Sequence, residues 1–272
     1  STIKITYEYM RKYMLDGVKD PDRHTLHEKL IRETLEISDK LFVTGLDGAS
    51  NKLYHQRRRM DNPRLDAVTY GTLLSILEGF NDELAVSRLV DDKENINHVL
   101  ARHEKALADL FSKAWLSNSW STAEKEEVDR YLESKLLSEN DLSLLISATT
   151  LALLSLFDTR KFVWLIEAYK KGFVFASPRS LVGIVMVINQ QKNRLAYYPE
   201  LTAQISFLFE DKKTTDLVND IYLQFLQGQE PEKIVNKMRE EIIPEMMKKA
   251  SSMQDLKLGF EEGEDEEGHN PD

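Results

Sequence analysis

Cysteine is absent from this chain. A disulfide framework and a thiolate metal site are therefore excluded. Glycine and proline are scarce, at 11 and 7 of 272 residues, so few of the residues that turn or break a backbone are present. No stretch alternates apolar and polar residues for long enough to argue for a sheet. "FVFASP" around Phe173 is the one short strand-like run, and a loop packed on the core explains it as well. Long apolar runs are missing too. Leu142–Phe157 is the most apolar stretch, 16 residues bracketed by Asp141 and Asp158. It falls short of the ~20 residues that span a bilayer and reads as a buried core helix.

Signatures of chemistry are equally thin. There is no G-x-S-x-G, no G-x-x-x-x-G-K-[ST] and no G-x-G-x-x-G. The six histidines are scattered without a partner pattern for nucleophilic catalysis. No cofactor is implied, and the chain reads as a non-enzyme.

What the chain has is charge and helix formers. Charged residues make up 30% and hydrophobic ones 42%, which suits a folded protein. The net charge is −10, yet Glu261–Asp272 holds seven acids and no Lys or Arg, which leaves −3 for the first 260 residues. A nucleic-acid binder would show a basic domain instead. "GFEEGEDEEGHNPD", from Gly259 onward, is predicted to be a disordered acidic linker or tail, because it has too little apolar surface to offset its ordering entropy. It does not supply the ligand pattern of a calcium loop. The opening "STIKITYEYM" has neither an initiator Met nor the apolar run of a signal peptide. A cytoplasmic fragment of a longer chain is the expectation, with no membrane contact.

Helical periodicity runs through nearly the whole sequence. Tyr7, Met10, Met14 and Val18 share a face. Leu26, Leu30, Ile31 and Leu35 mark a second helix, continued by Leu41 and Phe42 and stopped near Gly45. Further stripes run Leu65–Phe80 and Ile96–Trp115. Asn62-Pro63 and Ser177-Pro178 read as helix starts with proline at the first position. Ser121 with Glu124 reads as a capping box, and Gly172 after Lys170 and Lys171 as a helix end. The loops between stripes are short, so neighbouring helices should run antiparallel, roughly a dozen of them in all.

The second half carries a faint repeat at a 39-residue offset. Leu142, Leu145, Ile146 and Thr149 fall on Leu181, Ile184, Val185 and Ile188. In the next helix, Phe162, Ile166 and Tyr169 fall on Leu201, Ile205 and Leu208. A third unit is expected from Leu217 and Ile221, then Ile234 and Met238. A helix pair of about 40 residues is the size of an armadillo or HEAT-type unit, which hides its apolar face by stacking on a neighbour.

Several side chains merit attention as sites. His24, His27 and Glu28 sit three and four apart on a helix, where two ligands would need a third from elsewhere to hold a metal; a solvated helix face explains them more simply. His103 lies on an apolar stripe and reads as a hydrogen-bonded core histidine, and Trp115, Trp120 and Trp164 read as packing residues. Lys52, Arg57, Arg58, Arg59 and Arg64 form the one basic cluster, net +4 against Asp61. Guanidinium forks suit carboxylate or phosphate, so these five are the predicted partner-binding residues, for an acidic peptide, a phosphorylated segment or, less in keeping with the near-neutral body, nucleic acid. The competing explanation is a helix end whose arginines answer the carbonyl dipole and nearby acids.

The segments "RRRMDNPRLDAVTYGTLLSILE" (Arg57–Glu78) and "LLISATTLALLSLFDTRKFVWLIEAYK" (Leu144–Lys170), with the acidic tail, resemble the N-terminal helical region of large, uncharacterised bacterial tetratricopeptide-repeat proteins. The 34-residue W-x₂-L-G-x₂-Y signature is absent here. The resemblance implies that the repeats follow the tail and that this part is a companion helical domain; it carries over no catalytic residue. The expectation is thus an all-α chain. Residues 1–120 form irregular packed helices, 121–258 form antiparallel helix pairs stacked as a HEAT-like or TPR-like superhelix, and 259–272 form the tail. The expected function is a protein-interaction scaffold, with an enzyme on acidic groove residues, or a weak phosphate or nucleic-acid binder through Arg57–Arg59, as the alternatives.

Overall fold

The computed structural model describes residues 2–237, and the expectation for 259–272 lies outside them. Eleven helices and no strand occur among the described residues. They are α1 (Thr2–Leu15), α2 (Arg23–Ala49), α3 (Leu53–Leu65), α4 (Tyr70–Leu89), α5 (Lys93–Leu116), α6 (Thr122–Glu133), α7 (Glu139–Ser155), α8 (Thr159–Lys170), α9 (Ala176–Leu195), α10 (Pro199–Phe209) and α11 (Lys212–Lys237). The class is all-α. No helix among them is long and apolar enough to cross a membrane.

Local signals set several helix ends. Ser121 Oγ accepts from Glu124 N and the Glu124 carboxylate accepts from Ser121 N, so the capping box opens α6. Gly172 takes φ +73° and donates its N–H to Tyr169 O, which closes α8 in the left-handed region that glycine enters without strain. Other signals are overridden. α2 continues through Gly45 and Gly48 to Ala49. Asn62-Pro63 starts no helix: Pro63 lies in the last turn of α3, which runs on to the buried Leu65. The following helix is capped instead by Thr69, whose Oγ1 accepts from Thr72 N. α9 begins at Ala176, and Ser177 spends its hydroxyl on Ala168 O at 3.1 Å rather than capping.

Contacts divide the chain within α11, between Val218 and Asn219. In the first unit, helices of odd number pack in sequence, α3 on α5, α5 on α7 and α7 on α9, while α4 packs on α6 and α6 on α8. α4 on α5, α7 on α8 and α8 on α9 join the two rows. The apolar core is continuous from Tyr70 to Leu208. Trp120 and Trp164 sit inside it edge to face, 5.9 Å between ring centres. The division expected at 120/121 is not where the contacts divide: Trp120 Nε1 donates to Tyr70 OH at 3.0 Å and Tyr131 OH donates to Tyr70 O at 2.8 Å.

α7 and α9 approach so closely that a Cβ on Gly183 would lie 2.3 Å from Thr150 Oγ1. The residues matched by the 39-residue offset point inward in both pairs, from Leu145 and Ile184 to Phe162 and Leu201. The expected third pair is different, since residues 212–237, including Leu217 and Ile234, form one unbroken helix with no connection in the middle; Met238 lies outside the described residues. In the second unit the described part is the remainder of α11, where Leu223 and Leu226 are exposed.

α1 stands apart. It packs on α2 but buries none of its residues, and α2 buries only Leu30 and Val43 over 27 positions.

Candidate functional site

The basic cluster falls on α3 and the residue before it, and the fold separates its members. Arg58 is 5% exposed. Its Nε donates to Asp47 Oδ2 at 2.9 Å, one terminal nitrogen donates to Leu116 O, and the other donates to Asn118 Oδ1 at 3.0 Å. Asp47 also takes His55 Nδ1 at 2.7 Å. Arg58 is therefore a fork that ties α2 and α3 to the end of α5, and it is not available to a partner; this corrects its place among the expected binding residues. The cause is the negative end of α5, whose last carbonyls need cations or donors once covered. Arg59 does the same for α2, donating to Asp47 O and, at 3.2 Å, to Ser50 O.

Arg57, Arg59, Arg64 and Lys52 keep exposed side chains. Arg57 Nε lies 3.1 Å from Asp61 Oδ2 as an ion pair off the hydrogen-bond axis. Arg64 donates to Asp109 Oδ1 at 2.7 Å. Exposed pairs of this kind contribute roughly 0–1 kcal/mol, so both arginines exchange partners at small cost. Leu53, Arg57, Met60 and Arg64, spaced four, three and four, fall on one face of α3. Leu53 is 65% and Met60 74% exposed. The result is a stripe of alternating apolar and cationic side chains. The helical spacing of Leu53 and Met60 with the arginines was readable in the sequence, but their exposure was not.

A second cationic centre lies beneath the Ser117–Trp120 connection. Lys161 is fully buried. Its Nζ donates to Ser117 O, Ser117 Oγ and Asn118 O at 3.1, 2.9 and 2.8 Å and lies 5.6 Å from the centre of the Trp120 ring. Burial lowers its pKa to about 8, against the pull of Asp158 and Glu124, with Arg58 adding to the lowering. All three donor directions are occupied and none meets solvent, so the amine is a structural clamp rather than a nucleophile. Asp158 completes the arrangement, accepting from Trp120 N at 2.7 Å and from Arg160 N at 2.9 Å. Burial also raises the Tyr70 and Tyr131 hydroxyls above the usual phenol range.

Histidine–carboxylate pairs exist but stand alone. His103 Nε2 is 3.3 Å from Asp141 Oδ2 and stacks on Phe80 at 3.9 Å. Neither this pair nor His55–Asp47 lines the two largest cavities described, of about 520 and 510 Å³, which flank α1 and are walled mainly by its apolar side chains and those of α2. His24 and His27 edge the first of them, with His24 Nδ1 3.8 Å from Glu28 Oε1. No group of three His, Asp or Glu side chains among the described residues is placed to hold a metal ion.

No protein-family model, no curated protein and no solved structure matches this chain.

Proposed function

We propose that this chain is a non-enzymatic protein-interaction scaffold, a helical-array module of a larger protein, and that α3 carries its partner contact. The observation that carries the reading is the open Leu53–Arg57–Met60–Arg64 stripe, while the buried ionic groups Arg58, Lys161 and Asp158 are all engaged within the fold. Alternating apolar and guanidinium side chains suit an acidic amphipathic segment, whose carboxylates replace Asp61 and Asp109 while its apolar residues cover Leu53 and Met60. Lys52 and Arg59 flank the stripe and add positive charge.

The two rows of helices support reading the array as a short HEAT-like or TPR-like stack, in which each helix rests on its second neighbour and broad faces are left for binding. That arrangement is also in keeping with a companion domain of tetratricopeptide-repeat proteins and with a cytoplasmic setting.

The test is capture of partners from the native cells by the full chain, wild type against Arg57→Glu/Arg64→Glu and Leu53→Ser/Met60→Ser. Each double variant is expected to lose the same partner, and added salt to weaken capture by the wild type. Recovery of an identical set by all three chains removes the assignment to α3.

A further inference from the structure

α1 is amphipathic twice over. Tyr7, Met10 and Met14 line the grooves toward α2. Ile5, Tyr9 and Tyr13, four residues apart, form a second apolar stripe about 160° away at 100° per residue, and they are 53, 59 and 50% exposed. A helix apolar on opposite faces belongs between two packed layers, and one of 14 residues is marginal in water by itself. In the described first unit one layer, α2, is present and the other is missing.

We infer that the missing layer is α1 of a second copy of this chain, crossing antiparallel about a twofold axis at Tyr9. The stripe is self-complementary in that sense only. The crossing sets Tyr9 against Tyr9 and Ile5 against Tyr13, and brings Glu8 beside Lys12 of the second copy, twice by symmetry. A parallel pairing would set Glu8 on Glu8 and Lys12 on Lys12. Glu8 is free to turn, since its pairing with Lys4 is loose at 3.8 Å and both side chains are well exposed.

Area points the same way. Large side chains half to two-thirds open offer on the order of 100 Å² each. Ile5, Tyr9, Tyr13 and the exposed Leu15, with the flanking charges, bring each copy to roughly 500–600 Å². That total sits at the low end of specific interfaces, so the dimer is concentration-dependent, with a dissociation constant in the micromolar range. α3 is not involved, so this inference stands or falls separately from the scaffold reading.

Sedimentation of the full chain from about 1 to 200 μM is expected to show the mass climbing from 31.5 kDa toward twice that value. Tyr9→Glu should hold the chain monomeric with unchanged helix content by circular dichroism. Glu8→Lys should weaken association about tenfold, and Glu8→Lys/Lys12→Glu should restore it, which a merely structural role would not do. Because the chain has no cysteine, Tyr9→Cys should give a disulfide-linked dimer on mild oxidation, and Ser119→Cys, exposed on the α5–α6 connection, should not. A monomer throughout the range overturns the inference. So does a dimer that survives Tyr9→Glu, and so does a monomer that instead binds anionic phosphatidylserine vesicles through α1.

Discussion

The α1–α2 hairpin and the helices from α4 to α10 draw on similar apolar residues and treat them in opposite ways. In the larger body, Leu145, Ile146, Phe162, Trp164 and Leu165 are wholly buried. In the hairpin, Tyr9, Tyr13, Leu41 and Phe42 are half exposed or more. Amphipathic spacing says that a face seeks cover; it does not say whether the cover is in the same chain. A helix with a neighbour two positions away in each direction finds it, and one at the margin of the array does not.

The contrast is open to attack in the core first. Trp164→Ala removes a fully buried indole and its 3.3 Å bond to Val128 O. A loss of about 3–5 kcal/mol is expected in urea unfolding. Gly183→Ala forces a methyl onto Thr150, and about 1–3 kcal/mol should go; Thr150→Ser in the same chain should recover part of it. Lys161→Met leaves the carbonyls of Ser117 and Asn118 without donors beneath Trp120, at a cost of about 1–3 kcal/mol near pH 7.

The pH dependence of that variant sharpens the point. The folded pKa of Lys161 is about 8 and the ordinary value 10.5. Between them the unfolded chain holds a proton that the folded chain has released, so this group makes wild-type stability rise with pH. The rise should be visible from about pH 8 to 10, below the range where the buried tyrosines act in the other sense, and Lys161→Met should abolish it. The smallest effect belongs to the hairpin. Tyr13→Ser should shift the stability of dilute protein by about 0.5 kcal/mol or less, and α1 amides should exchange with solvent well before those of α7. An α1 as protected as α7 in dilute protein would erase the contrast.

How much of this was legible depended on distance along the chain. The Ser121–Glu124 box and the Gly172 stop were plain because their partners lie within three residues. The stripes of α7 and α8 were plain because each is buried on the spacing it displays. Asn62-Pro63 misled because the burial of Leu65 outweighs a proline in a final turn, where few backbone bonds remain to be lost. Gly45 and Gly48 misled because packing elsewhere on α2 tolerates a helix cost of about 1 kcal/mol apiece. The fate of Arg58 was out of reach, since its acceptors lie 11, 58 and 60 residues away. Arg57 and Arg64 remained on the surface, and nothing in their own neighbourhood distinguished them from Arg58.

An array held only by adjacent repeats can lose its last units and keep the rest. Lys161 denies that freedom here. It belongs to α8, yet it holds the connection that follows α5, more than 40 residues earlier, at the spot that Arg58 grips from α3. Four segments thus share one knot and must arrive together, so a chain cut anywhere before residue 161 would not be a shorter version of this fold but an unfinished one.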